Sequence, residues 1–141
     1  MNKLITGLIA GFAATVVLSV LMLVKGMMGL MPDVNMIDML ARQMGSGPLI
    51  GWCVHLMIGI IGYGLVYAVV FDGLAIGGHI TKGILLGTLG WLLMMVILMP
   101  MMGAGIFGLQ MPSGVMVPVV TLMLHWIFGL VLGLSYAKLS R

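Results

Sequence analysis

Apolar residues run along this chain in four long blocks, and the short stretches between and around them hold nearly all the charge. The blocks extend from about Leu4 to Met28, Leu49 to Phe71, Gly83 to Ile106 and Val115 to Ala137. Each exceeds the roughly 20 residues with which a helix crosses about 30 Å of hydrocarbon. Four strands could not close a barrel, and open strand edges are not tolerated in lipid. The pattern predicts an all-α integral membrane four-helix bundle, a single transmembrane domain over residues 1–141 with spans at about 4–28, 49–71, 83–106 and 115–137. The first span has an apolar core longer than the 7–15 residues of a signal peptide, so a retained anchor is expected.

Between the first two blocks the pattern changes. Asn35 can cap a short helix, with Asp38 three residues later as in a capping box. Asp38 and Arg42 are four apart and can pair on one face. Met36, Ile37, Leu40 and Met44 can form the apolar side, and Gly45 can stop the helix. This predicts a short interfacial helix at about 35–44 lying on the membrane surface, either a lid over the bundle mouth or a connector too apolar to leave the interface.

Composition agrees with burial in lipid. Of the 141 residues, 62% are hydrophobic and 6% charged, against about 25% charged in soluble domains. The net charge of +3 is spread over ends and connections, a topology signal rather than a nucleic-acid footprint. Lys3, Lys82, Lys138 and Arg141 fall on one side, Lys25 and Arg42 on the other, which places both termini in the cytoplasm. Cys53 is the single cysteine, so no intrachain disulfide can form; its position in an apolar span predicts a packed thiol.

An internal repeat runs through the blocks. His55-Leu-Met-Ile-Gly59 followed by Gly64-Leu-Val-Tyr67-Ala68 matches His125-Trp-Ile-Phe-Gly129 followed by Gly133-Leu-Ser-Tyr136-Ala137. In blocks one and three, Gly7 and Gly11 match Gly83 and Gly87, each a G-x-x-x-G, and Met27-Met28-Gly29 matches Met101-Met102-Gly103. The halves therefore read as two helical hairpins in parallel repeat, unlike the inverted repeats of many transporters.

The histidines are the sharpest chemical signal, because an ionisable residue within a bilayer is costly. Residues four apart share a helix stripe. Around His55 the stripe is Gly51, His55, Gly59; around His125 it is Thr121, His125, Gly129 and Gly133. Small flanks let a flat ligand approach the backbone. Spans two and four should occupy opposite corners, roughly 13 Å apart if neighbours pack at 8–10 Å. That allows a b-type haem with His55 and His125 as axial metal ligands and Gly51, Gly59, Thr121 and Gly129 beside it. Equally, a span histidine can hydrogen-bond across helices, with small-residue stripes as ordinary seams. In that case the rings would hydrogen-bond to each other, to a trapped water or to a hydroxyl such as Thr15 or Ser19.

Methionine is the second signal: seventeen are present, nearly all in the half that carries the first and third connections. Thioethers are soft ligands that select Cu(I), yet methionine also fills irregular gaps, and no M-x-x-x-M ladder runs through one span. Pro100 should kink the third span. Phe107 to Gly114 should form a turn, and His79 should be solvated. Gly77-Gly78 is not followed by G-K-[ST], so it is no P-loop. No carboxylate lies within a span and no nucleophile sits beside a base, which argues against a carboxylate-based pump and against a hydrolase.

The order G-L-I-A-G-F-A-A-T, G-W-C-V-H-L-M-I-G, W-L-L-M-M-V-I-L-M-P-M-M-G-A-G-I-F-G and V-T-L-M-L-H-W-I-F-G resembles a family of small bacterial inner-membrane proteins known as a domain of unknown function. The resemblance covers nearly the whole chain and includes His55, Pro100 and His125. It implies the four-helix bundle and a bacterial cytoplasmic membrane, and brings no ligand or catalytic residue with it. Three readings stay open: a haem b electron-transfer or accessory subunit using His55 and His125; a cofactor-free structural or interaction protein; and a Cu(I)-handling protein using the methionines. The expected partners are the lipid bilayer and a homo-oligomer or larger membrane complex, with no nucleic acid.

Overall fold

The computed structural model describes every residue from Met1 to Arg141 and is entirely helical. Four helices are long and apolar enough to cross a membrane: α1 (Lys3–Met27), α3 (Pro48–Phe71), α4 (His79–Met101) and α5 (Met116–Leu139). A fifth, α2 (Met36–Gln43), lies in the first connection. Around the bundle the order is α3, α1, α5, α4, with α1 packed along both α3 and α5. Thus α3 and α5 stand at opposite corners.

Glycines set the two tight seams. A methyl on Gly7 would run into the carbonyl of Gly64, and one on Gly11 into that of Gly59. In the second hairpin, Gly83 abuts the carbonyl of Gly129, Gly87 that of His125, and Gly133 that of His79. Lipid gives helices no hydrophobic reason to associate, so close backbone approach through small residues carries the attraction. Both hairpins use repeat-equivalent glycines for it.

The chain termini lie at one end of the bundle. There Lys3 pairs with Asp72 at 2.9 Å, and buried Lys82 donates to the Asp72 carbonyl at 2.8 Å. The Lys3 ammonium holds the Asp72 carboxyl below the usual carboxylate range. Tyr67 and Tyr136, equivalent in the repeat, are both fully buried and meet with ring centroids 4.6 Å apart. His79 is not solvated, as its connection suggested. It is half-buried between the two tyrosine rings, because the Tyr67 hydroxyl donates to its carbonyl at 2.9 Å and lies 3.1 Å from its Nδ1.

The opposite end carries the methionines. Asn35 accepts from the Asp38 amide, and its amide nitrogen donates to the Asp38 carboxylate at 2.8 Å. That contact occupies Asp38, and the expected Asp38–Arg42 ion pair is absent. The buried side of α2 is Ile37, Met39, Leu40 and Ala41, with Met44 exposed; the face is turned because the Ile37 carbonyl seats against Gly51 of α3. Lys25 ties down the preceding strap by donating to the carbonyls of Leu30, Met31 and Val34. Asp33 then clasps the third connection, accepting from the Ser113 amide at 3.0 Å and from its hydroxyl. Cys53, expected to be packed, is exposed on the outer side of α3.

Helices α3 and α4 contain π-helical turns, at Ile58–Tyr63 and Tyr67–Phe71 in α3 and at Met94–Leu98 in α4. The last leads directly into Pro100. Proline offers no N–H and its ring crowds the carbonyl four residues back, so the ladder widens there rather than simply kinking.

Two outcomes follow. Gly87→Leu should lower stability in detergent by about 3 kcal/mol or more, since backbone cannot yield to the added side chain. Gly26→Leu, with open space around it, should leave the melting temperature within a degree or two. The Ser113 bonds hold the Asp33 carboxyl below its ordinary value of 3.8. A depressed carboxylate stabilises above its unfolded-state value and loses that contribution as pH falls through the folded one. Asp33→Asn should therefore flatten the loss of thermal stability below about pH 5, and an unchanged acid limb would discount the clasp.

Candidate functional site

A cavity of about 700 Å³ lies among the four long helices, within the 300–1,000 Å³ range of ligand sites. Its wall is apolar apart from Thr15 and Lys25 of α1, His55 and Tyr63 of α3, and Thr121 and His125 of α5. Met31, Val34, Met36 and Leu40 roof it at the methionine end, while Phe71, Leu86 and Phe128 close it toward the termini. The π-turns belong to the two helices that frame its open side. Helices α3 and α4 approach through Tyr67–Phe71, and the Tyr63 ring reaches Gly90. Beyond Tyr63 they separate. The cavity opens between Ile58 and Gly62 on one helix and Leu93 and Ile97 on the other, all of which keep exposed surface. In a membrane that opening faces acyl chains.

Both predicted histidines line this cavity, from opposite corners of the bundle. Their hydrogen bonds differ. His55 Nε2 is 3.1 Å from Ser19 Oγ, one of the hydroxyls the sequence offered. Ser19 lies 2.7 Å from the Thr15 carbonyl. A hydroxyl has one proton, and a carbonyl can only accept. With the Ser19 proton on the shorter bond, Ser19 accepts from His55, which is then protonated on Nε2 and keeps the lone pair on Nδ1. The edge of the ring also meets Trp52, with centroids 5.8 Å apart.

His125 takes the other tautomer. Its Nδ1 donates to the Thr121 carbonyl one turn earlier, at 2.8 Å, leaving the Nε2 lone pair free toward the cavity. The packing differs between the hairpins. Aligned through Gly11 and Gly87, Ser19 corresponds to Met95, but the second seam is shifted by one turn, so Met95 faces Thr121 and not His125. The Thr121 hydroxyl lies 4.0 Å from the Met95 sulfur and receives the Trp91 indole N–H at 3.1 Å.

Of the small residues expected beside the rings, Gly59 and Thr121 line the cavity; Gly51 and Gly129 do not. Gly51 is filled by the Ile37 carbonyl and Gly129 by the backbone of Gly83. These two glycines admit neighbouring backbone, not a ligand. Even at Gly59 part of the space is taken by Thr15. The flat clearance is left to Gly62 of α3, which has open space around it, since the Tyr63 ring fills the space at Gly90 of α4. The four-residue stripe drawn through His55 left out Gly62, although seven residues put it on nearly the same face. Lys25 was read from the sequence only as a topology charge and Tyr63 as part of the repeat's flank; each reaches the cavity with a long side chain.

The opposite tautomers have a direct readout. Imidazole ¹⁵N shifts of the protein in lipid should report one neutral ring protonated at Nε2 and one at Nδ1. Ser19→Ala should perturb the His55 signals alone, with a stability loss of about 0.6 kcal/mol, the average for an interhelical hydrogen bond in a membrane protein. Two identical tautomers would contradict the arrangement.

No curated protein and no solved structure matches the chain. A family model does, over residues 1–141, and it is described as a family of unknown function. Whole-chain coverage places the protein in that family: this chain belongs to DUF6789.

Proposed function

We propose that the protein is a membrane-embedded binding protein whose cavity takes b-type haem between His55 and His125, as a small electron-transfer or accessory subunit. The observation that carries this reading is that two imidazoles, each with a nitrogen lone pair left over, line one apolar cavity from opposite sides. His125 is the better prepared ligand. The Thr121 carbonyl fixes its tautomer and leaves Nε2 free, the arrangement in which a metal-bound histidine is usually held. His55 would bind through Nδ1, or through Nε2 after releasing Ser19. Gly62 leaves room for a flat ring, and the opening toward lipid suits a ligand that dissolves in the bilayer. Haem would supply one-electron redox chemistry; the chain's part is to orient both imidazoles and exclude water.

The membrane assignment extends in the same way. The terminal end carries Lys3, Lys82, Lys138 and Arg141, against Lys25 and Arg42 at the methionine end. By the positive-inside rule both termini lie in the cytoplasm of a bacterial inner membrane. A second reading, a cofactor-free interaction protein, draws support from the hydrogen bonds that already engage both rings.

Purified protein incubated with haem separates the two. The first reading expects a Soret band, sharp α and β bands on reduction, and their loss in both His55→Ala and His125→Ala with the bundle still folded. A colourless protein, or a haem spectrum indifferent to both substitutions, would favour the second.

A further inference from the structure

The methionines take no part in the histidine cavity's proposed chemistry, and three of them meet at a separate place. A hollow of about 200 Å³ opens at the methionine end between α2 and the end of α4. Five residues line it: Met39, Arg42, Gln43, Met101 and Met102. Three of the five are thioethers, contributed by two elements whose backbones are fixed independently. The helix bearing Met39 is capped by Asn35 and seated on Gly51. The turn bearing Met101 and Met102 is closed by amide bonds from Met102 to Leu98, Gly103 to Pro100 and Ala104 to Met99.

The donor set selects among ions. No carboxylate, thiol or imidazole lines the hollow, so hard divalent cations find one neutral oxygen, the Gln43 amide, against three thioethers. Neutral thioethers favour a soft ion, Cu(I) above all. Arg42 on the rim opposes further positive charge, which favours one charge over two. Met39 is buried and Met101 is 61% exposed, so the thioethers run from the surface inward. Three flexible carbon–carbon and carbon–sulfur torsions per side chain let the sulfurs converge. We propose that this hollow is a Cu(I) site with Met39, Met101 and Met102 as its ligands. It is separate from the histidine cavity and does not depend on haem.

The test is anaerobic transfer of Cu(I) from its bicinchoninate complex to detergent-purified protein, followed by the chelator's absorbance. The background is Cys53→Ser, because the exposed thiol would itself compete for the ion. The proposal expects one Cu(I) taken up per chain, at least tenfold weaker transfer in each single methionine-to-leucine variant, and none in the triple variant. X-ray absorption of the loaded protein should report sulfur neighbours alone. Leucine is close in size to methionine, and Met101→Leu alters an exposed side chain, so that variant remains informative even if the triple variant does not fold. Failure of the Cys53→Ser protein to take up Cu(I) would overturn the site. So would full uptake by Met101→Leu and the triple variant alike, or nitrogen neighbours whose loss follows His55→Ala or His125→Ala.

Discussion

The contact of glycine with backbone carbonyl across each hairpin is the constraint on which the rest of the bundle depends. Within a bilayer the apolar surface of a helix gains nothing by leaving lipid for another apolar surface. Attraction must come from closeness, and closeness requires that side chains be missing at the crossing. Gly7 and Gly11 provide this against α3, and Gly83 and Gly87 against α5. The two seams are not in the same register: Gly7 and Gly11 meet Gly64 and Gly59, whereas Gly83 and Gly87 meet Gly129 and His125, one turn away from the repeat equivalents. Tyr67 and Tyr136 meet where the two hairpins come together.

The cavity follows from that choice. The four helices cannot all be equally close when two seams, α1 with α3 and α4 with α5, are drawn to backbone contact. Helix α1 also packs along α5, and the remaining pair, α3 and α4, touches mainly near the termini. The space left between them toward the methionine end is the cavity and its lateral opening. The π-turns fall on these same two helices, where the ladder has fewest neighbours to hold it in register. The strap held by Lys25, with Asp33 clasped to Ser113 and α2 packed across, covers the end that would otherwise face water.

A duplicated sequence does not make a symmetric site. His55 and His125 are matched in motif and both line the cavity, yet they hold their protons on different nitrogens, His55 against Ser19 of α1 and His125 against the Thr121 carbonyl of its own helix. The second seam is shifted by one turn, so the neighbouring helix sets Met95 against Thr121 rather than against His125. Gly51 and Thr121 diverge in the same manner: the first receives the backbone of α2, a helix with no counterpart in the second half, and the second hydrogen-bonds to Trp91.

Hydropathy period, block length and the glycine repeat determined on their own that the chain is helical, with four helices long and apolar enough to span a membrane. They placed Gly7, Gly11, Gly83 and Gly87 at close contacts, because each of these properties is local or survives as a copied motif. They also brought His55 and His125 forward as the pair to examine, since buried polar side chains are conspicuous in an apolar run. Only the tertiary structure decided what those residues face. Whether a glycine leaves room for a ligand or admits a neighbouring group depends on helix rotation and crossing, so Gly51 and Gly129 proved to be seams, Gly90 is filled by Tyr63, and Gly62 keeps open space. The same holds for His79 between its tyrosines, for exposed Cys53 and for the unformed Asp38–Arg42 pair. In each case the deciding partner is a side chain or backbone group whose position is fixed by packing and not by spacing along the chain.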